Sequence, residues 1–208
     1  MDVMSGQSPT NNKFRPQFTT QFTVPPSLAQ HSITLREFYA QNSKFQKLVV
    51  SAMVFHNDRL LLVQRSTNER SFPDYWEIPG GSCEDSDETI LHGVARELRE
   101  EAGLEVTRFV RKVAELDWED RLPHHGKPER WVKFIFEVEV EGNGDANNKR
   151  TDTEPDLKVF LDPNEHQRYI WATEDEVRNE KVGEMALKYI TPDNKVAKLE
   201  AFELRRVR

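Results

Sequence analysis

The chain has 208 residues, which suits one medium domain with appendages rather than two full domains of about 100 to 200 residues each. Apolar residues make up 37% and charged residues 31%, mean hydropathy is −0.74, and no apolar run approaches the ~20 residues of a membrane helix, so a membrane-spanning role is excluded. The net charge of −7 repels polyphosphate and argues against nucleic acid as a partner, so an anionic substrate would need a bound cation.

Residues 1–32 are rich in Ser, Thr, Gln, Asn and Pro without periodicity and read as a flexible arm. Thr34 and Glu37 have capping-box spacing and predict a short helix through Tyr39, so residues 1–44 form an extension carrying one short helix. Leu48 to Phe55 and Leu60 to Val63 are apolar runs flanking the turn-like His56-Asn57-Asp58, a pattern of two buried strands. A long amphipathic helix is expected from Asp87 to Ala102, closed by Gly103 as its cap. Further strands are expected at Val106 to Trp118, at Trp131 to Val140, and at Leu157 to Leu161 followed by Tyr169 to Trp171. Glu137, Glu139 and Glu141 line one side of their strand, as a solvated face would. Gly142 to Pro155 reads as a polar loop, and Thr173 with Glu176 as a second capping box. Lys195 to Arg208 predicts a last helix with a basic end, within a C-terminal segment 191–208. Helices separated by mixed strand runs predict an α/β (α+β) sandwich over residues 45–190, a mixed sheet covered on both faces.

Within the long helix, Ile90, Leu91, Val94, Ala95, Leu98 and Ala102 fall in one arc of about 140°, giving a single buried side. Glu97 and Glu101 sit one above the other at the rim of that arc, with Glu100 beside Glu97 on the outer side. Packing like charges in a half-buried place is unfavourable, so a cation is expected there. All-oxygen ligands point to Mg²⁺ or Mn²⁺ rather than zinc. Gly80-Gly81 after Pro79 forms a tight loop whose backbone can approach a ligand or the carboxylate helix closely. Cys83, the single cysteine, cannot form an internal disulfide, and no basic-then-apolar leader opens the chain, so the expected setting is the cytoplasm.

Together, Glu88, Arg96, Glu97, Leu98, Glu100, Glu101, Gly103 and Leu104 resemble the Nudix box, which ends in Arg-Glu-apolar-x-Glu-Glu-x-Gly-apolar. Leu61 to Arg65 and Trp76 to Gly81 also look like that family, and the resemblance spans roughly Lys47 to Asn179. One departure stands out: Ser82 to Asp87, six residues, separate Gly81 from Glu88, one more than the family has. The Glu88 to Arg96 spacing is intact, so the insertion should be absorbed in the loop before the helix.

The resemblance implies a Nudix-type α/β/α sandwich that hydrolyses a nucleoside diphosphate linked to another moiety with Mg²⁺ or Mn²⁺. It implies Glu97, Glu100 and Glu101 as metal ligands, Arg96 as the group orienting them, and Glu88 as support near the helix start. Glu100 and Arg96 enter the catalytic set with Glu165, the candidate base or extra ligand from outside the box. Gly80, Gly81 and Arg65 are candidates for contacts to substrate phosphate, with Phe72, Tyr75, Arg121, Lys127, Arg130 and Trp131 as further recognition candidates. His166 reads as a ligand or a strand-edge polar residue, and His124-His125-Gly126 as a solvated turn. The implied partner is a small nucleotide, and a homodimer is allowed. A binding module that senses a nucleotide without cleaving it is the alternative, although such modules usually lose box carboxylates and all are kept here. RNA cap removal would need a basic surface, for which Arg205, Arg206 and Arg208 are the candidates.

Overall fold

The two apolar runs form strands β1 (Lys47–His56) and β2 (Arg59–Arg65), joined through Asn57 and Asp58 at φ of 47° and 57°. Asn and Asp tolerate this left-handed conformation better than other non-glycine residues. In this computed structural model, which describes residues 21–120, 128–141 and 157–207, the hairpin is paired at its closed end, Phe55 with Leu60 and His56 with Arg59. Beyond that point the strands part. β1 pairs in parallel with β5 (Glu129–Val140), whose outer neighbour is the antiparallel β4 (Val106–Asp120). β2 pairs antiparallel with β3 (Trp76–Glu77) and with β6 (His166–Ala172), completing a mixed six-stranded sheet. Residues 79–81 lie along the freed edge of β1, where Val50 N donates to Gly81 O and Ala52 N to Pro79 O, each at 2.9 Å.

Helix α2 (Ile90–Ala102) covers one face, burying Ile90, Leu91, Val94, Ala95, Leu98 and Ala102 against Leu48, Val50, Leu61, Phe134 and Phe136. Thr89 caps its N-terminus, and Gly103 ends it at φ 67°. Helix α4 (Pro192–Arg206) covers the opposite face, setting Ala197, Ala201 and Phe202 against Met53, Leu60, Leu62, Trp76 and Ile135. Each large side chain buried in these layers contributes about 1.5–3 kcal/mol. Helix α1 (Leu35–Gln41) and helix α3 (Glu174–Arg178) both carry the expected capping boxes, Thr34 with Glu37 and Thr173 with Glu176.

Several expectations are corrected. From Gln21 onward the N-terminal segment is packed: Thr23 bridges Arg108, Pro26–His31 forms a 3-10 helix, and Leu28 and His31 are buried. Its sparse apolar residues cover core, with Phe22 edge-on to Phe109, so a polar composition does not keep this segment off the domain. Residues 157–161 form no strand; Phe160 N donates to Ala102 O at 2.9 Å, and Leu157 packs in the layer beneath α2. Glu137 is 1% exposed rather than solvated, because α4 lies over it and supplies Arg205, with Arg111 of β4 on its other oxygen. Short strands β7 (Lys181–Val182) and β8 (Met185–Ala186) pair with each other and had no signal in the sequence reading. The loop at Gly142 to Pro155, the His124-His125-Gly126 turn, Arg121, Lys127 and Arg208 lie outside the described residues.

Candidate active site

The buried arc of α2 fixes the register of its acids. Glu97 and Glu101 are 8% and 5% exposed, while Glu100 points outward with its side chain 45% exposed. Gly80 N donates to Glu101 Oε2 at 2.6 Å. A side chain at Gly80, whose φ is +150°, would run into Ser51 Oγ and Val50 O, and one at Gly81 would put Cβ 2.6 Å from Glu97 Oε2. Both glycines therefore permit the close approach of loop to carboxylate helix, the second of the two uses expected for them.

Arg96 joins these groups. Nε and Nη2 reach Asp87 at 2.8 and 3.0 Å, Nη1 reaches Glu97 at 2.8 Å and Glu100 at 3.1 Å, and Nη2 also donates to Ser82 O. Its donors are all directed at protein, so Arg96 positions carboxylates rather than touching substrate. The extra loop residue changes the acid it meets. Asp87, its side chain 4% exposed, takes the fork and also accepts from Glu84 N at 2.8 Å. Glu88 is corrected from a supporting role: its side chain is 75% exposed and lies 3.6 Å from His92. Counted from Gly81, the family spacing lands on Asp87; counted back from Arg96, it lands on Glu88. The sequence thus held the signal for both.

The opposite wall comes from β2, β3 and the start of β6. Arg65 donates to Glu77 at 2.7 Å, Glu69 at 2.9 Å and Ser71 O at 2.9 Å, which ties it to protein acceptors in place of the expected phosphate contact. Glu165, exposed, and His166, buried, come within 4.8 Å of each other and of Glu101 through ligand atoms. Glu77 and Lys133 were not among the predicted site residues; they and His166 meet through strand pairing, which leaves no local signal.

Burial pushes the Glu101 carboxyl well above the ordinary carboxylate range, with Glu77 and Glu97 adding to the rise and the Gly80 N–H opposing it. Burial also raises Glu97 against the pull of Arg96. Glu77 goes the other way: burial works upward, yet the His166 hydrogen bond, Lys133 and Arg65 together hold it at about 2. Glu97 and Glu101 are therefore two oxygen donors whose charged forms lack sufficient compensation. That donor set fits a hard divalent cation.

A NUDIX domain model matches residues 46–193. The chain belongs to the Nudix hydrolase superfamily. Among curated relatives, the m7GpppN-mRNA hydrolase NUDT17 of Danio rerio is 47% identical over 51 residues, 24% of this chain and 17% of that protein. The 8-oxo-dGDP phosphatase NUDT18 of Danio rerio is 31% identical over 107 residues, 51% of this chain and 29% of that protein, so the match spans well under half of either relative. A MutT protein from Methanosarcina mazei Go1 superposes with a TM-score of 0.54 at 21% identity, covering 78% of this chain and 96% of its own. The E. coli ORF135 protein gives 0.54 at 22%, covering 80% and 96%. At such identities the likeness establishes the fold.

Elsewhere in the Nudix domain, the remaining candidates make local contacts. Phe72 and Tyr75 meet edge-on with Phe72 half exposed, Trp131 stacks on Trp118, and Arg130 pairs with Asp117. Cys83 is buried, and burial first and Asp87 next push its thiol up to about 12, so it is no nucleophile. Arg205 pairs with Glu137 and Asp58, and Arg206 with Glu174, which commits those arginines of the expected basic end to protein acids.

Proposed function

We propose that this Nudix domain is a Mg²⁺-dependent pyrophosphohydrolase, able to use Mn²⁺, that cleaves the diphosphate of a nucleoside diphosphate linked to another group. The observation that carries the reading is Glu101, on the buried rim of α2 with Glu97 one turn before it, lying within 4.8 Å of Glu165 through ligand oxygens, where burial disfavours the charge of both helix acids. Glu97, Glu100 and Glu101 would hold the ion. When bound, the ion lowers the pKa of a water and offsets charge building on the phosphate oxygens.

The chain's own residues hold that arrangement. Arg96 fixes the Glu97 and Glu100 carboxylates from one side, and the Gly80 N–H fixes Glu101 from the other. A carboxylate oxygen of Glu165, exposed beside Glu101, accepts the proton of the attacking water. The name of the NUDT18 relative, a phosphatase acting on an oxidised deoxynucleoside diphosphate, supports a small nucleotide as substrate. The commitment of Arg205 and Arg206 to acids argues against a capped RNA. The single, buried Cys83 supports the cytoplasm as the setting.

The test is a screen of purified protein over ADP-sugars, dinucleoside polyphosphates, oxidised nucleotides and coenzyme derivatives, with and without Mg²⁺ and with products identified. Metal-dependent release of a nucleoside monophosphate or phosphate is expected, and Glu165→Gln should lower its rate roughly 10²- to 10⁴-fold. Turnover of none of these classes, in protein shown to be folded, would reject the reading.

A further inference from the structure

His166 opens β6 directly after Glu165, and the roles assigned above leave it unused. It is 1% exposed. Its Nε2 lies 3.3 Å from Glu77 Oε1, the oxygen that also receives Arg65 Nη1 at 2.7 Å. A carboxylate is an acceptor only, so in the neutral ring this contact places the proton on Nε2 and the lone pair on Nδ1. Nδ1 is buried and has no hydrogen-bond partner. A ring nitrogen of the same residue lies within 4.8 Å of carboxylate oxygens of Glu101 and Glu165, which are equally close to each other.

The backbone makes this placement firm. Gln64 pairs with Arg168 but Arg65 pairs with His166, so Gln167 is an extra residue in the β2–β6 ladder, and such a bulge re-aims the side chains beside it. His166 N donates to Asp162 O at 2.8 Å, and Ser66 N to Glu165 O at 2.7 Å. A carboxylate on one imidazole nitrogen with the other nitrogen free is the arrangement that orients histidine as a metal ligand.

We propose that His166 supplies a nitrogen ligand to a divalent cation held with Glu101 and Glu165, and that this position selects Mn²⁺ or Co²⁺ over Mg²⁺. The proposal rests on the metal-dependent reading above, because Glu101 serves both, and Glu165 would bind through one carboxylate oxygen while the other takes the water's proton. Mg²⁺ prefers oxygen ligands and retains water, whereas imidazole suits first-row transition ions. Glu97 and Glu100, an all-oxygen pair bridged by Arg96, keep no such preference.

The experiment loads the full chain with Mn²⁺ and records pulsed electron paramagnetic resonance for nitrogen modulation, with calorimetric titration of Mn²⁺ and Mg²⁺ alongside. The wild-type spectrum needs no substitution and should show a coordinated imidazole nitrogen. In His166→Gln that signal should vanish and Mn²⁺ affinity fall about 10- to 100-fold, with Mg²⁺ affinity changing less than about threefold. Bound Mn²⁺ without nitrogen modulation, or modulation that survives His166→Gln, overturns the proposal while leaving the metal-dependent hydrolase standing. Failure of wild-type protein to bind either ion overturns both.

Discussion

Replacing Asp87 by Asn tests whether the acid that meets Arg96 has moved by one residue. The substitution keeps the shape but removes the charge from a fork of two bonds at 2.8 and 3.0 Å, and it turns one acceptor toward Arg96 into a donor. Breaking a buried ion pair costs about 3–5 kcal/mol. Arg96 keeps Glu97, Glu100 and the Ser82 carbonyl, so the loss should fall lower, at about 2–3 kcal/mol. For a domain of this size that is roughly 5–10 °C in Tm. The pH dependence follows from sign. Burial raises the Asp87 carboxyl, but Arg96 and the Glu84 N–H outweigh it and hold the folded value below the ordinary one. Its contribution is therefore complete above the unfolded value near ~3.9 and is lost as pH falls through the lower, folded value. Urea unfolding of wild type and Asp87→Asn should differ by a constant amount between about pH 5 and 8, with the gap closing below about 4. Glu88→Gln should change stability by less than about 0.5 kcal/mol. A larger effect at Glu88 than at Asp87 would refute the assignment.

Gly81→Ala puts a methyl 2.6 Å from Glu97 Oε2, so Mg²⁺ affinity should drop about tenfold or more while circular dichroism stays that of the wild type; unchanged affinity would show the loop yields freely. Glu137→Leu leaves Arg111 and Arg205 facing an apolar side chain under α4 and should cost about 3–5 kcal/mol in urea unfolding, with the rate per folded molecule preserved. Lys198 is 1% exposed, and burial first and Lys133 next lower its ammonium to about 7 against the pull of Glu77. Since the folded value lies below the unfolded one, the residue costs stability at acid and neutral pH, and the penalty fades as pH rises toward about 10. Lys198→Met should thus be more stable than wild type by about 2–4 kcal/mol at pH 6, an advantage that shrinks on raising the pH; no gain at pH 6 would contradict the burial argument.

The parts of the fold that were legible are those whose cause is local. The arc from Ile90 to Ala102 fixes a helix, its buried face and the heights of Glu97, Glu100 and Glu101, because a 3.6-residue period needs no partner to be read. Thr34 with Glu37 and Thr173 with Glu176 cap their helices through bonds spanning three residues. What stayed hidden depends on distant chain. Glu137 sits in an alternating strand like Glu139, and only the passage of α4 over one of them decides which is buried. His166 reaches Glu77, 89 residues away, through β2, on which both strands pair, and no spacing announces it. Leu157 to Leu161 had the composition of a strand, but its bonds go to the end of α2 rather than to a sheet edge.

The extra residue before α2 shows how the two kinds of cause divide the site. Register along the helix is set by apolar burial, and a one-residue slip there would turn Glu97 and Glu101 about 100° away from the loop. The loop is held at Cys83, which is buried and whose N–H donates to Leu48 O at 3.0 Å, but from Glu84 to Ser86 it has no such anchor. It closes on itself, with Asp87 N donating to Glu84 O at 3.1 Å and Glu84 N to Asp87 Oδ2 at 2.8 Å. An added residue is taken up by that turn, and whichever acid then lies inside the turn beside Gly93, here Asp87, meets the guanidinium. Arg96 needs only a buried carboxylate at that place, from either neighbouring position. The carboxylates that would hold a cation tolerate no such exchange, because Gly80 and Gly81 already touch them from the other side.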